Sequence, residues 1–171
     1  MLKANLLAAL NQQINEEYYS SYIYQSMVAY FADNHLDGCA HWMRLQAQEE
    51  HDHALKIYDN VISRRGRVLL ADVKAPPKEW ATPQAAFEAA LAHEKLMTTN
   101  ITKLADLAQS EKDHATNNLM QWYVTEQVEE EANVDDILSK LKLVGGDGAG
   151  LFLIDRELKT RTAAAPAGGA A

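Results

Sequence analysis

This chain has a single cysteine, Cys39, in 171 residues. That excludes an intrachain disulfide and any Cys-rich zinc or iron–sulfur site. Proline and glycine are scarce, 4 and 8 in number, so long stretches run without a helix breaker. No apolar run approaches the length of a membrane span. The amphipathic N-terminus "MLKANLLAALNQQ" has neither a continuous apolar signal core nor a small-residue cleavage site, so a cytoplasmic protein is expected. Basic excess is missing too. The formal net charge is −8, which argues against a non-specific nucleic-acid binder resting on basic patches and suits a protein that handles cations. What remains is an ordinary globular composition, 47% hydrophobic and 23% charged, long enough for one domain with a real core.

The breakers that exist divide the chain. One long helix is expected from about Lys3 to Asp33, then a turn in "DNHLDG", then a second helix from about Leu36 to Arg64. Residues 65–83, "RGRVLLADVKAPPKEWATP", hold three of the four prolines and are long enough to cross the length of a bundle. Thr82–Pro83 is an N-cap and first-turn pair for a third helix ending near Gln109. Asp113 is the expected N-cap of a fourth, which stops at Gly145–Gly146. "GLFLIDRELKTR" reads as a short fifth helix, and "TAAAPAGGAA", residues 162–171, as a flexible low-complexity tail. The expected fold class is all-α: a four-helix bundle over residues 1–161, with a long crossover that makes helices two and three parallel.

A core-facing helix repeats apolar residues at spacings of three and four. The stripe on helix one is Leu10, Ile14, Glu17, Ser21, Tyr24, Val28, Phe31. On helix two it is Leu36, Cys39, Met43, Gln46, Glu50, His53, Ile57, Val61. On helix three it is Phe87, Leu91, Glu94, Met97, Ile101, Leu104, Ala108, and on helix four Leu119, Tyr123, Gln127, Glu130, Val134, Ile137, Leu141. Every long helix thus carries a carboxylate on its buried face, about 11 to 16 residues from its start, so four Glu and one His meet at one level of a bundle about 40 Å long. One Glu on an apolar stripe is ordinarily a snorkelling side chain or a misjudged boundary; four at matched depth are not. Burying one unpaired carboxylate costs several kcal/mol, and four repel each other as well. A pair of bound dications removes that cost, and Glu and His suit iron, manganese or zinc. Glu50 and His53 share one helix face at i, i+3, and Gln127 and Glu130 repeat the spacing. His35, His41, His51, His93 and His114 fall off the stripes and are expected at the surface. Cys39 is expected in the core.

The stretches "NEEYYSSYIYQ", "RLQAQEEHDH", "AHEKL", "LQWYVTEQVEEE" and "GLFLIDREL" make residues 1 to about 161 resemble a bacterial non-heme ferritin. The inward Glu and Glu-x-x-His pattern with one crossover is that of ferritin-like di-iron bundles. The resemblance implies an iron-storage protein that oxidises Fe(II) with O2 or H2O2 at a di-iron ferroxidase centre and stores the Fe(III) as a hydrated oxide inside a homo-oligomeric shell of 24 subunits. It implies one iron on Glu17, Glu50 and His53 and a second on Glu50, Glu94 and Glu130, with Gln127 lining the centre. A third iron site would use Glu49, Glu126, Glu129 and Glu130. The periodicity alone makes Glu49, Glu126 and Glu129 a solvated acidic face. Tyr24 and Trp122 match positions beside the centre. In ferritins the fifth helix packs around the four-fold axis of the shell; the competing reading is that "LFLI" folds back onto its own bundle.

The sequence departs from neighbouring families. Bacterioferritins carry Glu-x-x-His on the fourth helix and a heme-ligating Met after the second-helix Glu; this chain has Gln127 and Glu130 in the first place and His51 in the second, so no heme is expected. Rubrerythrins need cysteines this chain lacks. DNA-protecting mini-ferritins build their iron site between subunits, against the inward ligands on all four helices here. Two other readings are a di-iron oxidase or oxygenase acting on an organic substrate, and a non-catalytic cage subunit.

Overall fold

The structure is a computed structural model that describes residues 2–163. The tail expected at 162–171 lies outside the described residues from 164 onward. Five helices account for the fold: α1 (Ala4–Asp33), α2 (Asp37–Ser63), α3 (Pro83–Ser110), α4 (His114–Val144) and α5 (Gly148–Leu158). There is no strand among the described residues, and no helix is long and apolar enough to cross a membrane.

The helix starts follow from local chemistry. Thr82 Oγ1 accepts from the Ala85 N–H at 3.0 Å, ahead of Pro83 at the first helical position. Asp113 accepts from the Thr116 N–H at 2.9 Å and also pairs with Arg64 at 2.6 Å, tying the end of α2 to the start of α4. The Arg64 guanidinium holds the Asp113 carboxyl down at about 2. α4 ends at Gly145, whose φ of 57° suits a residue without Cβ.

The crossover climbs along α1. Asn11 binds its start, donating to the Arg67 carbonyl at 3.2 Å and accepting from the Leu69 N–H at 2.7 Å. Lys74 lies over the Tyr19 ring, Ser26 donates to the Pro77 carbonyl, and Trp80 stacks edge-on against Tyr30. These contacts ascend α1 in order, so the crossover returns the chain to the end where α1 stops and α2 begins. α3 starts there, with Phe87 against Phe31 and Trp42. Helices two and three therefore run parallel, as expected.

Every stripe residue is buried except Leu36, Leu91 and Leu119, which are half-buried. The apolar core is not continuous. One cluster runs from Ile23 to Phe31 on α1, with Met43, Phe87, Val134 and Leu141; the other gathers Leu6, Leu10, Ile14, Ile57, Ile101 and Met120. Buried Glu17, Glu50, His53, Glu94, Gln127 and Glu130 belong to neither cluster, and by chain position they form the layer between them. α5 caps the first cluster. It buries Ile154 and Leu158 and leaves Phe152 and Leu153 about 60% exposed, at 61% and 62%. Part of the "LFLI" segment thus folds back onto its own bundle, through Ile154, while Phe152 and Leu153 are left exposed in the single chain.

Candidate metal centre

Glu17, Glu50, Glu94 and Glu130 are each no more than 3% exposed, and His53 is 5% exposed. The ligand atoms of Glu17, Glu50 and His53 all lie within 4.8 Å of one another, and so do those of His53, Glu126 and Glu130. His53 Nδ1 faces the Glu50 carboxylate at 3.7 Å, and His53 Nε2 faces Glu126 at 4.0 Å. His53 is therefore the joint between the two groups. Glu94 stands beside them rather than in either. Its carboxylate accepts from the Tyr24 hydroxyl and, at 3.3 Å, from Gln127 Nε2. Gln127 also reaches the Glu94 carbonyl at 3.2 Å.

A second ring of side chains orients the first. Gln13 donates to Glu17 at 2.9 Å; Gln46 donates to Glu130 at 2.5 Å and to Glu50 at 3.4 Å. Tyr123 donates to the His53 carbonyl at 2.6 Å, and Trp122 packs edge-on against the His53 ring, centroids 5.3 Å apart. Gln46 and Tyr123 are on the stripes; Gln13 is missed by them, although it sits one turn before Glu17 and its spacing could have shown it.

Burial pushes the Glu17, Glu50 and Glu130 carboxyls well above the usual carboxylate range, and Glu94 upward as well. Desolvation is the first cause for all four. The neighbouring carboxylates raise Glu17, Glu50 and Glu130 further. The Tyr24 hydroxyl is likewise pushed up by burial and by Glu94. A site that disfavours its own ionised acids is a site waiting for cations: carboxylate oxygens and one imidazole form a donor set that fits first-row divalent ions. The same shifts set a stability trend. A glutamate unfolds to a pKa of about 4.3, so with raised native values the folded, metal-free chain binds more protons above that pH. Stability is fully present below the unfolded value and is lost as pH rises through the native values. Asp113 acts in the opposite sense, but only at lower pH. Urea unfolding of metal-free protein should give a lower midpoint at pH 7.5 than at pH 5; a higher midpoint at pH 7.5 would contradict the shifts.

The acidic face is arranged differently from the buried layer. Glu126 and Glu49 are half-buried and Glu129 is exposed. With Glu130 they line one cavity of about 230 Å³. Glu49 is already engaged, by Arg161 at 2.5 Å, a contact no periodicity reveals. One expectation fails. His93, placed at the surface by its phase on α3, is buried, and burial lowers its pKa to about 4. Ser20 lies 2.7 Å from its Nε2, and Tyr19 and Tyr24 flank its ring. α1 and the crossover cover a flank that a stripe along the bundle axis leaves open. His41 is half-buried; His35, His51 and His114 are exposed, and Cys39 is buried, as expected.

Comparison with known proteins agrees with this fold. The profile described as Ferritin-like domain matches residues 7–144. The chain is 38% identical over 162 residues to the bacterial non-heme ferritin of Staphylococcus epidermidis, covering 95% of this chain and 98% of that one. It is 40% identical over 161 residues to the bacterial non-heme ferritin of Bacteroides fragilis, with 94% and 100% covered. Among solved structures it is similar to an open-pore ferritin from the archaeon Archaeoglobus fulgidus, with 49% identity, a TM-score of 0.94 and 95% and 100% of the two chains covered. It is also similar to a humanized archaeal ferritin, with 47% identity, a TM-score of 0.95 and 96% and 100% covered. The family match over residues 7–144, the identity along nearly the whole chain and the near-superposable fold agree, and the chain belongs to the ferritin family.

Proposed function

We propose that this protein stores iron, and that it loads itself by oxidising Fe(II) at a di-iron ferroxidase centre inside each bundle. Iron is here substrate and cargo. One ion is held by Glu17, Glu50 and His53; the second by Glu50, Glu94 and Glu130, with Glu50 bridging and Gln127 lining the centre. A third position lies among Glu49, Glu126, Glu129 and Glu130. The observation that carries this reading is the buried convergence of Glu17, Glu50 and His53 within 4.8 Å, in a layer that holds no buried Lys or Arg among the described residues.

The reaction needs little beyond placement. Two Fe(II) give up two electrons. With two protons these reduce O2 to H2O2, or H2O2 to two waters. The bridging carboxylate keeps both ions within reach of one oxidant. Gln13, Gln46 and Gln127 fix the acids by hydrogen bonds, so the geometry exists before metal arrives. Tyr24, bonded to Glu94, orients that carboxylate. Fe(III) then passes to the acidic cavity and onward to a shell interior.

Assembly into a shell, 24 subunits by family resemblance, is supported by the apolar surface one chain leaves uncovered. Leu69 and Leu70 on the crossover are 58% and 65% exposed, alongside Phe152 and Leu153 on α5. Patches of this kind mark interaction surfaces. Membrane, nucleic acid and heme have no part in this reading, and the cytoplasm is its proposed location. A di-iron oxygenase acting on an organic substrate is the other use of such a centre, and oxidation kinetics separate the two. With no organic substrate present, Fe(II) oxidation monitored by stopped-flow absorbance should be fast in the parent. It should slow by about 10- to 100-fold in Glu17→Ala and Glu130→Ala. If neither substitution changes the rate, the ferroxidase assignment fails.

A further inference from the structure

Arg161 lies just past α5, where the chain turns back along α2 and reaches the acidic cavity. Its side chain is held from several sides. Nη2 donates to the Glu49 carboxylate at 2.5 Å; Nη1 donates to Gln46 Oε1 at 2.9 Å and to the Trp42 carbonyl at 3.3 Å. The guanidinium lies over the Trp42 ring, 4.5 Å from its centroid, and the Arg161 carbonyl is bonded to His41 Nε2 at 2.9 Å. Arg161 is the only cation among the described residues that line this cavity; the others include Glu49, Glu126, Glu129 and Glu130. Lys56 acts on Glu126 from outside it, stacked on Trp122.

We propose that Arg161 is a built-in competitor for the third iron position: its guanidinium occupies Glu49 and keeps divalent cations there weakly bound and easily displaced. Two features support this. A fork held by a carboxylate, an amide oxygen, a carbonyl and a ring is preorganised and is not a drifting surface side chain. The same Gln46 that accepts from Arg161 donates to Glu130 and Glu50. One amide therefore connects the competitor to two carboxylates of the buried layer. A dication entering the cavity must displace the guanidinium or bear its repulsion. Weak binding suits a position that receives oxidised iron and passes it on, because a tight third site would hold its product.

This inference rests on the proposed third position, and the test separates the two. Anaerobic Fe(II) binding is followed by titration calorimetry on the assembled protein, with Zn(II) as a redox-silent second probe. Circular dichroism and particle mass check the fold. Arg161→Gln should bind the third ion roughly tenfold or more tightly than the parent, since a unit charge a few ångströms from a dication is removed. The first two ions should change little. Arg161→Lys keeps the charge but loses the fork and the stacking, and should fall between; it decides the matter if Arg161→Gln does not assemble. Unchanged or weaker third-ion binding in these variants, with the first two ions retained, overturns the competitor role alone. If neither the parent nor Arg161→Gln binds any ion beyond the first two, the third position itself is overturned, and this inference with it.

Discussion

Glu50→Gln should slow Fe(II) oxidation by at least about a hundredfold and, in the same protein, raise the stability of the metal-free chain. The two effects share one cause. Glu50 is 1% exposed and adjoins Glu17 and His53, and burial together with the Glu94 charge pushes its carboxyl well up. An amide has nearly the same shape but cannot bridge two cations, and it has no charge to bury. Replacing buried ionic groups by neutral ones of similar volume is often stabilising by about 1–4 kcal/mol. The gain should be largest near neutral pH, where the parent's acids repel, and should shrink toward pH 5. A substitution that merely damaged the fold would lower activity and stability together. Stopped-flow oxidation rates and urea midpoints on the same sample therefore decide the case, and a fall in both would argue against an uncompensated acid layer.

Gly38→Ala should destabilise the protein by roughly 2–4 kcal/mol, although alanine is the better helix former by about 1 kcal/mol. Gly38 lies in the first turn of α2, where the backbone of α5 comes closest. A Cβ built there would stand 1.7 Å from the Asp155 carbonyl oxygen and 2.6 Å from its carbon. Neither atom belongs to a flexible side chain, so one helix must move. The movement would cost the bond from the Cys39 N–H to the Asp155 carboxylate, 2.9 Å. It would also loosen the packing of Ile154 and Leu158 and the seat of Arg161 beyond them. The melting temperature should fall, and particle mass should shift to smaller assemblies as α5 loses its seat. A melting temperature equal to or above the parent's would show that α5 does not need the close approach.

The buried layer was legible because it breaks a period. Glu17, Glu50, His53, Glu94 and Glu130 stand where an apolar residue is due, and a helix of known pitch converts sequence position into depth. The caps at Thr82 and Asp113 were legible because capping is local, settled within three residues. The misses have the opposite character. His93 lies off the apolar stripe of α3, and it is Ser20, Tyr19 and Tyr24 of α1 that meet its ring there. Gly38 reads as an ordinary glycine until α5, more than a hundred residues later, is laid against it. Arg161 meets Glu49 and Gln46 across a similar span, with no spacing rule to connect them. The acidic residues 49, 126 and 129 look alike as a solvated face; their separate environments arise from α2, α4 and the segment after α5 meeting at one cavity.

Iron retained per particle, measured with particle mass after aerobic addition of a large excess of Fe(II), tests storage most directly. The proposed function predicts a large homo-oligomeric shell that keeps far more iron than the about two or three ions each chain could ligate. Iron that stops at about two or three per chain, with the excess precipitating outside the protein, would contradict storage and leave a di-iron enzyme acting on some other substrate.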